Sequence, residues 1–191
     1  MLKPQDIVIL LKMISIMSSS KGESSEALSQ NKLALHLCLS VSEVHAGLSR
    51  LMMSGLLGVV HHESIPAHAA RRQSFIPIKT ACEECLIYGV KYFFPVKFGP
   101  YTRGIATSYA APIFKNKIKV GEDPIPVWPY AEGEVRGLAL EPLYRSVPKS
   151  VIQYPDKLFY ELLTLIDAMR GARARERDIA IKLLKERIHD K

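Results

Sequence analysis

The stretch "LALHLCLSVSEVHAGLSRLMMSGLL", Leu33 to Leu57, constrains this chain more than any other. Its apolar residues recur at helical spacing, stop at Cys38-Leu39-Ser40, and start again. Two short helices joined by a very tight turn are the expected result. Ser29 is placed to cap the first, Gln30 to Leu37, with Leu33 and Leu37 inward and Ala34 small enough to admit a neighbouring helix. Leu39 is the apolar plug between the two. Ser40 and Glu43 form Ser-x-x-Glu, a capping box that starts the next helix at Val41. On that helix Val44, Gly47, Leu48 and Leu51 share the side expected to face the core. Ser42, His45, Ala46, Ser49 and Arg50 share the other. Gly47 weakens the helix by about 0.5–1 kcal/mol relative to Ala, so it reads as a close helix–helix contact. Gly55 is placed to end the helix in the left-handed conformation. Leu56 and Leu57 then begin an extended stretch that runs to Val60. The turn position holds Cys38 rather than glycine, so the turn is expected to form without easy access to positive φ.

A further helix precedes this pair in "PQDIVILLKMISIMSS". Pro4 suits its first turn, Asp6 favours its positive end, and Ile7, Leu10, Leu11, Ile14 and Met17 form an apolar stripe. The apolar run Ile7 to Ile16 is interrupted by Lys12 and is too short to span a bilayer. With no export signal in sight, a soluble, cytoplasmic protein that does not enter a membrane is expected. The 191 residues suit one large domain or two small ones, and an apolar fraction of 48% suffices for a core. A net charge of +7 favours an acidic partner, nucleic acid first among them.

From about Asp6 to Val60, and on through a wing to Ile76, the chain resembles a winged helix-turn-helix of the MarR-like kind. The residues that carry the resemblance are Leu33-Ala34, Leu37, Leu39-Ser40, Val44, Leu51 and Gly55-Leu56-Leu57. It implies that the helix from Val41 lies in the major groove of double-stranded DNA while its partner braces it. Small side chains at Ser42, Ala46 and Ser49 would let that helix sit deep, with His45 and Arg50 reaching bases or phosphates. Gln30 and Asn31, at the start of the bracing helix, join the expected DNA contacts. So do Arg71 and Arg72 of "HAARRQSF", near the wing tip.

Three cysteines, Cys38, Cys82 and Cys85, argue against a disulfide framework. Cys82-x-x-Cys85 would need two more ligands to hold zinc, drawn from His61, His62 or His68. The better reading is a pair of free thiols on a helix in "IKTACEECLIYGVKY", ended by Gly89, with no metal. No Gly-x-Ser-x-Gly, His-Glu-x-x-His, phosphate loop or dinucleotide fingerprint occurs, so neither an enzyme nor a cofactor is expected.

Between Tyr92 and Val151 prolines and glycines recur, and short strands and turns are expected, with Phe93, Phe94, Phe98, Tyr101, Phe114, Trp128 and Tyr144 packing inside. Arg103 and Arg136 beside glycines read as turn residues rather than an anion site. Two helices end the chain. Asp156 opens the first, with Leu158, Phe159, Leu162, Leu165, Ile166 and Met169 on its apolar face and Gly171 at its end. The second carries the stripe Ile179, Leu183, Leu184 and Ile188. Arg170, Arg173 and Arg177 stand at helical spacing, candidates for DNA phosphates or an acidic partner beside the plainer reading of a solvated face. "RGLALEPLYRSVP" and "ELLTLIDAMRGARARERDIA" look like the tail of small bacterial regulators, some resembling antitoxin-type repressors.

The expectation is an α+β chain. Residues 1–75 form a winged helix-turn-helix, and residues 76–191 a mixed domain of short strands and two C-terminal helices for dimerisation or partner binding. It acts as a sequence-specific transcriptional regulator, a repressor working as a homodimer through its C-terminal helices. The alternative is an antitoxin or defence-system accessory protein that binds a protein, such as a cognate toxin, or RNA.

Overall fold

Ile7, Val8, Ile9, Leu10 and Leu11 are consecutive in sequence and all 0% exposed, so helix α1 (Pro4–Ser19) is enclosed on every side over residues 6–15. This corrects the expected single stripe, whose last member, Met17, is 37% exposed. A helix buried all round must have its polar groups met, because an unpaired buried charge is costly. Lys12 Nζ and Ser15 Oγ each donate to Asp156 at 2.8 Å. Asp6 accepts from Arg50 Nε at 2.7 Å and Nη2 at 2.6 Å.

The computed structural model describes residues 1–19, 29–60, 74–118, 121 and 123–189. Helices α2 (Gln30–Leu37) and α3 (Val41–Met53) pack on α1 and on each other. Strands β1 (Leu57–Val60) and β2 (Ser74–Pro77) pair antiparallel, Leu57 opposite Pro77 and Val59 opposite Phe75. Residues 79–93 are continuously helical: α4 (Lys79–Glu84), a π-helical turn (Cys85–Gly89) and α5 (Val90–Phe93). The Val90 amide reaches back to the Cys85 carbonyl, the five-residue step of a π-turn. Gly89 therefore sits inside the helix at φ −96°, and the helix stops at Phe94 instead.

The middle of the chain closes on itself. Strand β3 (Phe98–Ala106) pairs antiparallel with both β4 (Pro126–Pro129) and β5 (Val135–Leu140), and β4 and β5 pair parallel. The expected short strands are present, but they form a small closed barrel. Closure depends on Gly104 and Gly133. A Cβ on Gly104 would stand 2.0 Å from the Trp128 carbonyl oxygen, and one on Gly133 2.2 Å from that of Gly104. The aromatic residues divide. Phe114 and Trp128 are buried, whereas Phe93, Phe98 and Tyr101 are 69%, 53% and 60% exposed, contrary to the packing expected of them.

Helix α6 (Val147–Gln153) leads to α7 (Lys157–Gly171), whose N-cap Asp156 accepts from the Phe159 amide at 3.0 Å. Residues 161–169 of α7 are all buried. Among them Asp167 accepts from Trp128 Nε1 at 2.6 Å, Thr107 Oγ1 at 2.9 Å and Arg170 Nη1 at 2.7 Å. Helix α8 (Ala174–His189) buries Leu183, Leu184 and Ile188 and packs on α7 and α4. The stripe expected to join two copies is thus spent within one chain. The architecture is mixed α and β, and one continuous buried cluster joins residues from both sides of position 75. Among the described residues no helix is long and apolar enough to cross a membrane.

Candidate nucleic-acid interface

Helix α2 is opened by Ser29, whose Oγ accepts from the Lys32 amide at 3.3 Å. It ends at Cys38, which lies in the left-handed region at φ 52°, ψ 43°. The Cys38 amide donates to the Leu35 carbonyl at 3.2 Å and the Leu39 amide to that of Ala34 at 3.0 Å. That pair of bonds is a Schellman motif, which satisfies the last carbonyls of a helix. The expectation that Cys38 would avoid positive φ is therefore corrected: the bonds hold a non-glycine residue there. The expected capping box of α3 is present, with the Glu43 amide donating to Ser40 Oγ at 3.2 Å and the Ser40 amide to Glu43 Oε2 at 2.9 Å. Helix α3 ends in the same motif, Gly55 to Met52 and Leu56 to Leu51, both at 3.0 Å, with Gly55 at φ 70°.

Val44, Gly47, Leu48 and Leu51 face inward as expected. A Cβ on Gly47 would lie 2.5 Å from Ile9 Cδ1, so the glycine does mark the close approach of α3 to α1. On the opposite face Ser42, His45 and Ser49 are exposed and Ala46 is half-buried. Ser49 Oγ donates to the His45 carbonyl at 3.0 Å and so stays close to the helix surface. Asn31 is exposed and Gln30 half-buried at the start of α2.

Arg50 does not join that face. Two of its guanidinium nitrogens grip Asp6, which is wholly buried, and its role is to neutralise that carboxylate. Arg71 and Arg72 lie outside the described residues, as do His61, His62 and His68. Arg170 is 3% exposed, held by Asp167 and the Phe94 carbonyl, which removes it from any outward stripe. Arg173 is exposed, 3.6 Å from Asp123. Arg177 donates from Nη2 to the Ala172 carbonyl at 3.4 Å, while its Nε is buried without a partner.

The sequence held no sign of a strap from the second half across the α2–α3 turn. Tyr144 donates its hydroxyl to Glu43 Oε1 at 2.9 Å, and Ser150 Oγ donates to the His36 carbonyl at 2.7 Å. The Tyr154 ring stacks on His36 with centroids 5.0 Å apart, and the Cys38 thiol donates to Gln153 Oε1 at 3.5 Å. Arg145, over the Tyr144 ring at 5.8 Å, and Lys149 are exposed on this strap. The bonds from Ser40 and Tyr144 hold the Glu43 carboxyl below its usual range.

The CxxC pair is split by burial. Cys82 is fully enclosed and donates to the Leu56 carbonyl at 3.4 Å. Burial, assisted by neighbouring Cys85, pushes its thiol up to about 12. Burial raises Cys85 as well. Both therefore stay protonated near neutrality, and a thiol is a far weaker nucleophile or metal ligand than a thiolate. Among the described residues no three His, Cys, Asp or Glu side chains converge as a metal set.

No family model, no curated protein and no solved structure matches this chain.

Proposed function

We propose that the chain is a sequence-specific DNA-binding regulator, a winged helix-turn-helix with α3 as the helix that enters the major groove and the β1–β2 pair as its wing. The observation that carries this reading is the outer face of α3, where Ser42, His45 and Ser49 are small or polar and open to solvent. A groove that admits one helix requires such a face. Lys32, Arg145 and Lys149 are exposed around the α2–α3 turn, with Glu43 near enough to feel the charge of Arg145. They suit phosphate contacts, which position a protein on the duplex. Arg50 is excluded from base reading by its commitment to Asp6.

A single α3 would contact few base pairs, so the reading includes a homodimer, through a surface other than α1 or the α8 stripe. A second reading is a protein-binding accessory factor. It is favoured by the exposed aromatics Tyr88, Tyr92, Phe93, Phe98 and Tyr101, because large exposed apolar side chains suit protein contact.

Selection of bound duplexes from a random pool separates the two. The DNA reading expects a two-fold motif whose binding is abolished by Ser42→Glu and Ser49→Glu, both exposed positions that add charge facing phosphate. Absence of any enriched motif sinks it and leaves the accessory reading.

A further inference from the structure

A cavity of about 840 Å³ lies between residues 104–118, the turn at 132–135, helix α6 and Tyr160. Small-molecule sites have this volume and are mostly apolar with a few placed polar groups. Ile105, Ala110, Phe114 and Val135 supply apolar wall. The Tyr160 hydroxyl donates to the Ala106 carbonyl at 2.5 Å, and its ring meets the edge of Trp128 at 5.8 Å, so this aromatic wall is fixed in place. The polar groups gather at the rim, where Lys115, Glu132 and Glu134 are exposed and leave a net negative charge.

Two features set this cavity apart from a packing fault. Ser108 and Asn116, at φ 52° and 67°, flank its wall in the left-handed region. Asparagine enters that region readily, but a serine there carries a cost that its surroundings must hold, and such places gather at ligand sites. Helix α6 also has a double role. Val151 and Ile152 line the cavity, while Ser150 between them and Pro148 holds the His36 carbonyl at the end of α2, and Tyr154 stacks on His36.

We propose that this cavity binds a flat, largely apolar small molecule bearing one cationic nitrogen, with its body against Phe114 and α6 and its charge at Glu132 and Glu134. Occupancy shifts α6 and is felt in α2 and α3. Binding stands apart from the DNA reading; only its meaning as control of DNA binding rests on that reading.

The full chain, without DNA, is titrated with thioflavin T, a flat cation that brightens when its rotor is held. One saturable site per chain is expected. Glu132→Gln with Glu134→Gln should weaken it at least about tenfold, because both residues are exposed and act through charge alone. Ile152→Trp, from a position 46% exposed, should crowd the α6 side of the cavity and weaken the site while the thermal midpoint stays near that of the parent. Hydrogen exchange over 30–53 should slow when the dye is bound. Absence of saturable binding, or binding equal to the parent in the double glutamine variant, overturns the site. Unchanged exchange in α2 and α3 at saturation overturns the coupling. A failed DNA selection with both results intact removes the DNA reading alone.

Discussion

Residues 29–60 and residues 98–171 are built by opposite means. In the first region the groups that set each helix end lie a few positions apart: Ser29 with Lys32, Ser40 with Glu43, Cys38 with Leu35. In the second the bonds that decide the fold span the chain, Thr107 and Trp128 to Asp167 and Tyr160 to Ala106. Glycine shows the same contrast. Gly47 makes room for the tip of a side chain, Ile9 Cδ1, whereas Gly104 makes room for the backbone of a neighbouring strand. A region organised locally announces itself in sequence. A region organised by closure does not, because each part looks like an ordinary turn until its partner is known.

Arg50 breaks that rule within the local region, as the strap on Glu43, His36 and Cys38 does, and it is where the largest effect is expected. Arg50→Ala leaves Asp6, 0% exposed, as a buried carboxylate that keeps the Lys3 amide but loses its cation, which costs about 3–5 kcal/mol. Urea unfolding measures it. Arg173→Ala, whose pair with Asp123 is 86% and 79% exposed, should change stability by less than about 0.5 kcal/mol. Equal effects would mean that α1 is not anchored to α3 by this pair.

The glycines come next. Gly104→Ala sets its Cβ 2.0 Å from a carbonyl oxygen of the paired strand, which cannot yield without breaking the barrel. A loss of about 3 kcal/mol or more is expected, at the upper end of overpacking costs. Gly47→Ala meets side chains only, Ile9 Cδ1 at 2.5 Å and Asp6 Oδ1 at 3.1 Å, and gains about 0.5–1 kcal/mol of helix propensity, so its net loss should be about 1–2 kcal/mol. The contrast breaks if Gly47→Ala proves the worse of the two.

What was legible follows the same division. The bounds of α2 and the start of α3, the capping box, Gly47, Gly55 and the Asp156 cap could be read because each rests on residues within one turn, or on a glycine in mid-helix. The all-round burial of α1 could not, since it depends on α7 and on Asp156, 144 positions from Lys12. The strap of Tyr144, Ser150 and Tyr154 was hidden for the same reason. Arg50 and Arg170 misled because a guanidinium at helical spacing looks alike in sequence whether it faces solvent or a buried carboxylate.

Acid should probe those long-range ties with a smaller effect. Burial raises the Asp156 carboxyl, but the Lys12 ammonium, the Phe159 amide and Ser15 together hold it below its usual range. A depressed folded pKa adds stability that is present above the unfolded value, about 3.9, and is lost as pH falls through the folded value. The chain should therefore hold its unfolding midpoint near neutrality and lose stability below about pH 4. Asp156→Asn should flatten that acid limb. An unchanged limb would show that the tie between α1 and α7 does not depend on charge.

The smallest expected effect tests whether the α2–α3 turn is truly set locally. Cys38 at φ 52° bears a left-handed cost of about 1–2 kcal/mol that glycine would not. Glycine also loosens the unfolded chain by about 0.5–1 kcal/mol, and the 3.5 Å thiol contact to Gln153 would be lost. Cys38→Gly should thus stabilise the chain by less than about 1 kcal/mol. Cys38→Ala keeps the strained backbone and removes only the thiol, so its denaturation midpoint should lie at or below that of the parent. If both variants fall alike, the thiol's tie to the strap outweighs the backbone, and the turn belongs with the long-range half of the molecule.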